Sequence, residues 1–130
     1  MGPILIIDDS DTDRFLIKKA LMKEQTALEL IELEEGFEAV KTIKDKRPMA
    51  TLLDIRMPGI DGFDVLKMIR LDPETSDHLV VMLSGSEEPS DIRLAREAGA
   101  NGFLTKPATF GEYSGLAKAI SKKVFGNREN

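Results

Sequence analysis

Five polar positions stand where an apolar run stops: Asp8, Asp9, Asp54, Ser84 and Lys106. In residues 51–59, Thr-Leu-Leu-Asp-Ile-Arg-Met-Pro-Gly, the apolar run ends in an acid and then at once in Met57-Pro58-Gly59. That pattern puts Asp54 at the carboxyl end of a strand, with a loop beginning beside it. Carboxylates held close together raise one another's pKa unless a cation compensates. Two unit charges ~4 Å apart interact by about 4 kcal/mol at a surface-like dielectric. Three acids on one edge therefore ask for positive charge. Oxygen ligands without sulfur or imidazole point to a hard divalent ion; a protein set that leaves room for water and phosphate suits Mg2+, with Mn2+ as a substitute. Lys106 lies too far along the chain to be a local helix partner of these acids. Its expected role is a fixed positive charge facing Asp54 or whatever becomes attached to it.

For these positions to meet, the strands that carry them must be parallel neighbours. The chain alternates short β-like runs with longer helical ones. Residues 3–7 read as a buried strand that stops at Asp8-Asp9-Ser10-Asp11. Ser10 or Asp11 can cap a helix running to near Glu24, with Leu16, Ile17, Ala20 and Leu21 on its apolar face. A second strand is expected over 27–33, a helix on Ala39, Val40 and Ile43, and a third strand over 50–54. Asp61 is placed to cap a helix through Leu71 that Asp72-Pro73 terminates. Residues 79–83 form a fourth strand, followed by a helix with Pro89 in its first turn and Gly99 at its end. Residues 101–105 make the fifth strand. A last helix over 110–125 puts Phe110, Tyr113, Ala117, Ile120 and Val124 on one stripe. Parallel strands need crossovers, so five βα units imply a parallel sheet with helices on both faces. The unbroken apolar strands agree, since such strands are buried on both sides. In that sheet all carboxyl ends share one edge, where open α/β sheets bind ligands.

Composition narrows the classes. With 130 residues, 42% hydrophobic and 32% charged, the chain has the size and apolar content of one domain. Its 23 acids against 18 bases, net charge -5, argue against a nucleic-acid surface. The absence of cysteine excludes disulfides and thiolate metal sites. No apolar run approaches the roughly 20 residues that span a bilayer. The start lacks a basic region, a cleavage site and a myristoylation signal, so a cytoplasmic protein without membrane association is expected.

With these residues in order, the chain resembles the receiver domain, the CheY-like phosphoacceptor module of bacterial two-component response regulators. The resemblance runs over about residues 4–124 and rests on Asp8-Asp9, the Asp54 of Leu-Leu-Asp-Ile-Arg-Met-Pro-Gly-Ile-Asp-Gly, Ser84-Gly85, Phe103 and Lys106-Pro107. It implies one receiver domain over 1–130 with a flavodoxin-like, doubly wound five-stranded sheet of strand order 2-1-3-4-5, five helices and no output domain in this chain. Whether such a domain acts alone or within a larger protein stays open. By the same resemblance, Asp54 accepts a phosphoryl group from a phosphohistidine on a sensor histidine kinase or phosphotransfer protein. Asp9 and Asp54 bind Mg2+ directly, Asp8 acts mainly through water, and the backbone carbonyl of Arg56 completes the set. Ser84 hydrogen-bonds a phosphoryl oxygen, Lys106 pairs with it, and Phe103 is the aromatic whose rotamer changes. Arg56 and Ser86 flank the site and modulate phosphoryl lifetime. The switched surface is the face of helix four, strand five and helix five, read by a downstream protein target or output domain; a homodimer through the last helices is left open. Reversing a 99 to 1 population takes about 5.5 kcal/mol of differential stabilisation.

Each position also has an ordinary reading. Acids favour helix N-termini, which accounts for Ser10, Asp11 and Asp13 better than for Asp8 and Asp9. Ser84 alone is a turn residue, Phe103 alone a core residue, and His78 an ordinary surface residue. Lys118, Lys122 and Lys123 are a solvated face. Ser84 stands where Thr is commoner, and Phe103 has no hydroxyl, so a switch must rest on packing. Three other classes share parts of this pattern. An Asp-nucleophile phosphatase of the haloacid dehalogenase type wants a second acid two residues after the nucleophile, where this chain has Arg56. A flavodoxin-like cofactor binder wants a phosphate-cradling first loop, which Asp8-Asp9 would oppose. An unphosphorylated receiver-like adaptor would keep the fold and never use the site.

Overall fold

The computed structural model describes residues 2–126. Its elements are β1 (Ile4–Ile7), α1 (Asp11–Glu24), β2 (Leu30–Leu33), α2 (Ala39–Lys46), β3 (Ala50–Asp54), α3 (Gly62–Leu71), β4 (Val80–Ser84), α4 (Pro89–Glu97), β5 (Gly102–Thr105) and α5 (Tyr113–Phe125). The five strands form one parallel sheet in the order β2-β1-β3-β4-β5. The expected flavodoxin-like topology is the one observed.

The period-2 geometry of a strand sends alternate side chains to opposite faces, and each central strand is divided accordingly. Leu5, Ile7, Leu53, Val80 and Met82 pack with α2, α3 and α4 through Ala39, Ile43, Val65, Leu66, Ile69 and Ala95. Ile4, Ile6, Leu52, Val81 and Leu83 pack with α1 and α5 through Ile17, Leu21, Tyr113, Leu116, Ala117 and Ile120. Both faces of β1, β3 and β4 are therefore dry, which explains their unbroken apolar runs. Each fully buried Leu or Ile contributes about 1.5–3 kcal/mol.

Helix starts follow local chemistry. Ser10 Oγ accepts the Asp13 N–H at 3.1 Å, and Asp61 Oδ1 accepts the Asp64 N–H at 3.0 Å, so α1 and α3 are side-chain capped. Pro89 stands at the start of α4, where its missing N–H costs nothing. Gly99 follows its end with φ +95°, a left-handed conformation that side chains with a Cβ rarely adopt.

The structure corrects three expectations. The second strand starts at Leu30 rather than residue 27, because the chain after α1 first turns, with the Leu28 N–H bonding to the Gln25 carbonyl at 3.1 Å. Phe110 is 75% exposed. It begins a 3-10 turn, Phe110–Glu112, that leads into α5, so its tighter winding takes Phe110 off the buried stripe. His78 is not an ordinary surface residue. It is half-buried at the amino edge of the sheet, with Nε2 2.8 Å from Thr51 Oγ1, and burial helped by the positive charge of Arg70 pushes its pKa down to about 4.

Candidate functional site

Strand register assembles the site. Ile7 pairs with Leu53 and Asp54 with Leu83, so Asp8 and Asp9 leave β1 beside the end of β3, with the end of β4 on the other side. Ser84 pairs with Thr105, which places Lys106 at the same edge. Asp8, Asp9 and Asp54 each offer a carboxylate oxygen, all within 4.8 Å of one another. Asp8 and Asp54 are buried and Asp9 is exposed, so the cluster has two walls and one open side. Gly62 lets α3 approach: a Cβ there would lie 2.3 Å from the Asp54 carbonyl oxygen.

The electrostatics follow from crowding. Burial raises the Asp54 pKa to about 6; Lys106 opposes the rise, and the charges of Asp8 and Asp9 add to it. Burial alone would lower the pKa of Lys106, but hydrogen bonding to Asp13 and the charges of Asp8 and Asp54 outweigh it and raise the value. The ammonium lies 2.7 Å from Asp8 Oδ2, 2.9 Å from Asp13 Oδ2 and 3.1 Å from Asp54 Oδ1. Asp8 Oδ1 accepts the Ser10 N–H at 2.9 Å, whereas Oδ2 is buried with no hydrogen bond directed at it. A buried carboxylate oxygen that has an ammonium beside it but no aligned hydrogen bond, next to two further carboxylates, still has room for a hard divalent cation. The donor set fits a divalent metal ion.

Ser84 is buried, and its Oγ accepts the Ser86 N–H at 3.1 Å. Phe103 packs against the core on the α2–α4 side and lines a cavity of about 300 Å³ with Ile92, Ala95, Arg96 and Ala100. Since Met82 pairs with Phe103, Ser84 and Phe103 share one face of the sheet, two strand positions apart. Arg56 does not point at the acids. Its Nη2 donates to both carboxylate oxygens of Asp91 in the first turn of α4, at 2.8 and 2.9 Å.

Two contacts escaped the sequence. Asp13, taken there as a helix-start acid only, reaches Lys106. Arg14 is buried, donates to the Asp8 backbone carbonyl, and pairs with Asp11 and, at 3.0 Å, with Glu32. It ties the acidic loop to α1 and β2. Its signal was present: Arg14 lies three and seven residues before Ile17 and Leu21, on the apolar stripe of α1. A charge on a buried stripe needs partners there.

An open α/β domain with an acidic strand edge and one fixed ammonium is the class that fold and site define together. The response regulator receiver domain model matches residues 4–118. Protein PilH of Pseudomonas aeruginosa is 33% identical over 97% of this chain and 100% of its own length. Chemotaxis protein CheY-3 of Vibrio cholerae is 34% identical over 82% of this chain and 81% of its own. The crystal structure of the phosphorylated cyanobacterial phytochrome response regulator RcpA superposes with a TM-score of 0.87 at 28% identity, covering 97% of this chain and 95% of that one. The chain belongs to the response regulator receiver family, whose members are regulatory signalling domains. It spans only 48% of another relative, the PhoP regulator of Bacillus subtilis. Among the described residues, no helix is long and apolar enough to cross a membrane.

Proposed function

We propose that this chain is a single receiver unit and a phosphoacceptor switch in which Asp54 takes a phosphoryl group from a phosphohistidine. The observation that carries this reading is the Lys106 ammonium 3.1 Å from Asp54 Oδ1, beside three carboxylates within 4.8 Å of one another. With its pKa raised only to about 6, Asp54 is mostly ionised at neutral pH, as a nucleophile must be. Its oxygen attacks phosphorus, the P–N bond of the donor breaks, and the imidazole nitrogen keeps the electron pair and takes a proton. An acyl phosphate remains on Asp54. Water later attacks phosphorus, orthophosphate leaves, and the carboxylate returns.

Phosphoryl transfer needs charge neutralisation and positioning more than covalent help from the protein. Asp8, Asp9, Asp54 and the Arg56 carbonyl would hold Mg2+, or Mn2+ in its place; when bound, the ion neutralises phosphoryl charge. A solved form of the response regulator Rcp1 is Mn2+-bound. Lys106 pairs with the phosphoryl group. Ser84, whose Oγ accepts the Ser86 N–H within its own loop, donates its hydroxyl to a phosphoryl oxygen and so vacates space for Phe103. The surface of α4, β5 and α5 is then read by a downstream protein target or output domain in the cytoplasm. A sensor histidine kinase or phosphotransfer protein supplies the phosphoryl group.

Intact mass after incubation with acetyl phosphate and Mg2+ tests this. The expected result is a phosphoryl mass gain lost in Asp54→Asn and in metal-free buffer. No gain from acetyl phosphate or from candidate kinases, in folded metal-binding protein, would leave an unphosphorylated adaptor. Amide NMR shifts on the α4–β5–α5 surface that do not change with phosphorylation would refute the switch. Arg56, held by Asp91, and Ser86, holding Ser84, are placed to set phosphoryl lifetime; unchanged hydrolysis rates in Arg56→Ala and Ser86→Ala would remove them from that role.

A further inference from the structure

Lys106 is not evenly shared among its acids. Among the described residues, its ammonium makes one well-aligned side-chain hydrogen bond, and that goes to Asp13 rather than to Asp54. The Asp13 side chain is 29% exposed, against 1% for Asp8 and 7% for Asp54. A carboxylate that water can reach exchanges an ammonium for solvent at low cost, whereas a buried one does not. Asp13 is thus the partner from which Lys106 separates most easily. It is also outside the carboxylate cluster suited to a cation, which consists of Asp8, Asp9 and Asp54.

We propose that Asp13 is a positioning residue that holds the Lys106 ammonium on the α1 side of the site and competes for it with a phosphoryl group on Asp54. The inference rests on the phosphoacceptor reading. A phosphoryl group brings about -1.5 to -2 charge and three acceptor oxygens. Lys106 has three N–H donors, and the one directed at Asp13 is withheld from the phosphoryl group until that contact breaks. The strength of the Asp13 contact therefore sets part of the free-energy gap between the free and phosphorylated states. Asp13 also lies in the first turn of α1, where any acid interacts favourably with the helix dipole. That effect does not pass through Lys106, so the two roles separate experimentally.

The test is a 19F NMR titration of beryllofluoride, a phosphoryl mimic, at saturating Mg2+, with amide spectra confirming the fold of each variant. Asp13→Asn is expected to bind about three- to tenfold tighter, the range for losing a partly exposed charged contact. Asp13→Glu, which keeps the carboxylate, should return to within about twofold of the unmodified protein. In a Lys106→Met background, Asp13→Asn should change affinity by less than about twofold, because the coupled partner is gone. Unchanged affinity in Asp13→Asn overturns the proposal, as does equal tightening with Lys106 absent. If Lys106→Met binds too weakly to titrate, the Asn and Glu variants decide alone. Failure of the unmodified protein to take up beryllofluoride or a phosphoryl group would instead overturn the phosphoacceptor reading, and this inference with it.

Discussion

At the amino edge of the sheet, Arg70 donates to the carbonyl oxygens of Gly99, Ser76 and His78 and to Asn101 Oδ1, at 2.7 to 3.2 Å. At the carboxyl edge, Asp8, Asp13 and Asp54 share the single ammonium of Lys106, and Asp9 adds a further charge. Asn101 Oδ1 also accepts the Val80 N–H at 2.8 Å, so one amide serves two donors where β4 begins. One edge has a hydrogen-bonding partner for each of these groups. The other leaves a buried carboxylate oxygen, Asp8 Oδ2, with a shared ion-pair contact but no aligned hydrogen bond. Polar groups spent on stability are satisfied in place, while groups kept for chemistry retain an unmet demand that a ligand can fill.

The comparison breaks most sharply if the amino edge proves dispensable. Arg70→Ala removes four hydrogen bonds and should lower unfolding free energy by about 2 kcal/mol in urea; a loss near zero would mean that water replaces the guanidinium. Next, neutralising the carboxyl edge should stabilise. In metal-free protein at pH 7, Asp54→Asn is expected to gain about 1 kcal/mol, allowing for solvent screening. The folded pKa of about 6 lies above the ordinary 3.8. The favourable contribution of the protonated group is therefore fully present below 3.8 and lost as pH rises through 6. The advantage of Asn should accordingly fade on acidification across that window, and a gain independent of pH would point to another cause.

The smallest effect has the opposite sign. His78 is lowered from 6.5 to about 4, so its contribution is present above 6.5 and lost as pH falls through 4. Its loss is worth somewhat under about 1 kcal/mol after screening. In His78→Gln, urea midpoints measured from pH 7 to 4 should decline less steeply than in the unmodified protein. An unchanged slope would show that His78 is already solvated. Acid thus relieves one edge while burdening the other.

How much of this was legible in the sequence depended on the range of the interaction. The ends of β1, β3 and β4 were readable because strands dry on both faces give unbroken apolar runs. Asp61 and Pro89 were readable because caps act within one helical turn. Asp8, Asp9, Asp54, Ser84 and Lys106 were placed together because a parallel sheet has only one carboxyl edge. The Asp13–Lys106 contact was not legible, since its partners are 93 residues apart and the helix start offered Asp13 a sufficient local role. The burial of His78 was not legible because its side-chain partner, Thr51, lies 27 residues away on β3. Phe110 was missed because a 3-10 turn has a different residue period from the α-helix it precedes.

The 93 residues between Asp13 and Lys106 also bear on biogenesis. The acids of β1, α1 and β3 leave the ribosome first, and the ammonium that offsets them emerges only with the end of β5. Until then a partly made chain carries the self-repelling carboxylates without their counter-charge. A growing chain at that stage lacks the assembled centre, which comes together when the last strand docks, one of the slow non-local pairings that parallel topology imposes. The completed edge is in this sense a late event of synthesis: the acids gain their counter-charge only when β5 has been made, with α5 alone among the described elements still to follow.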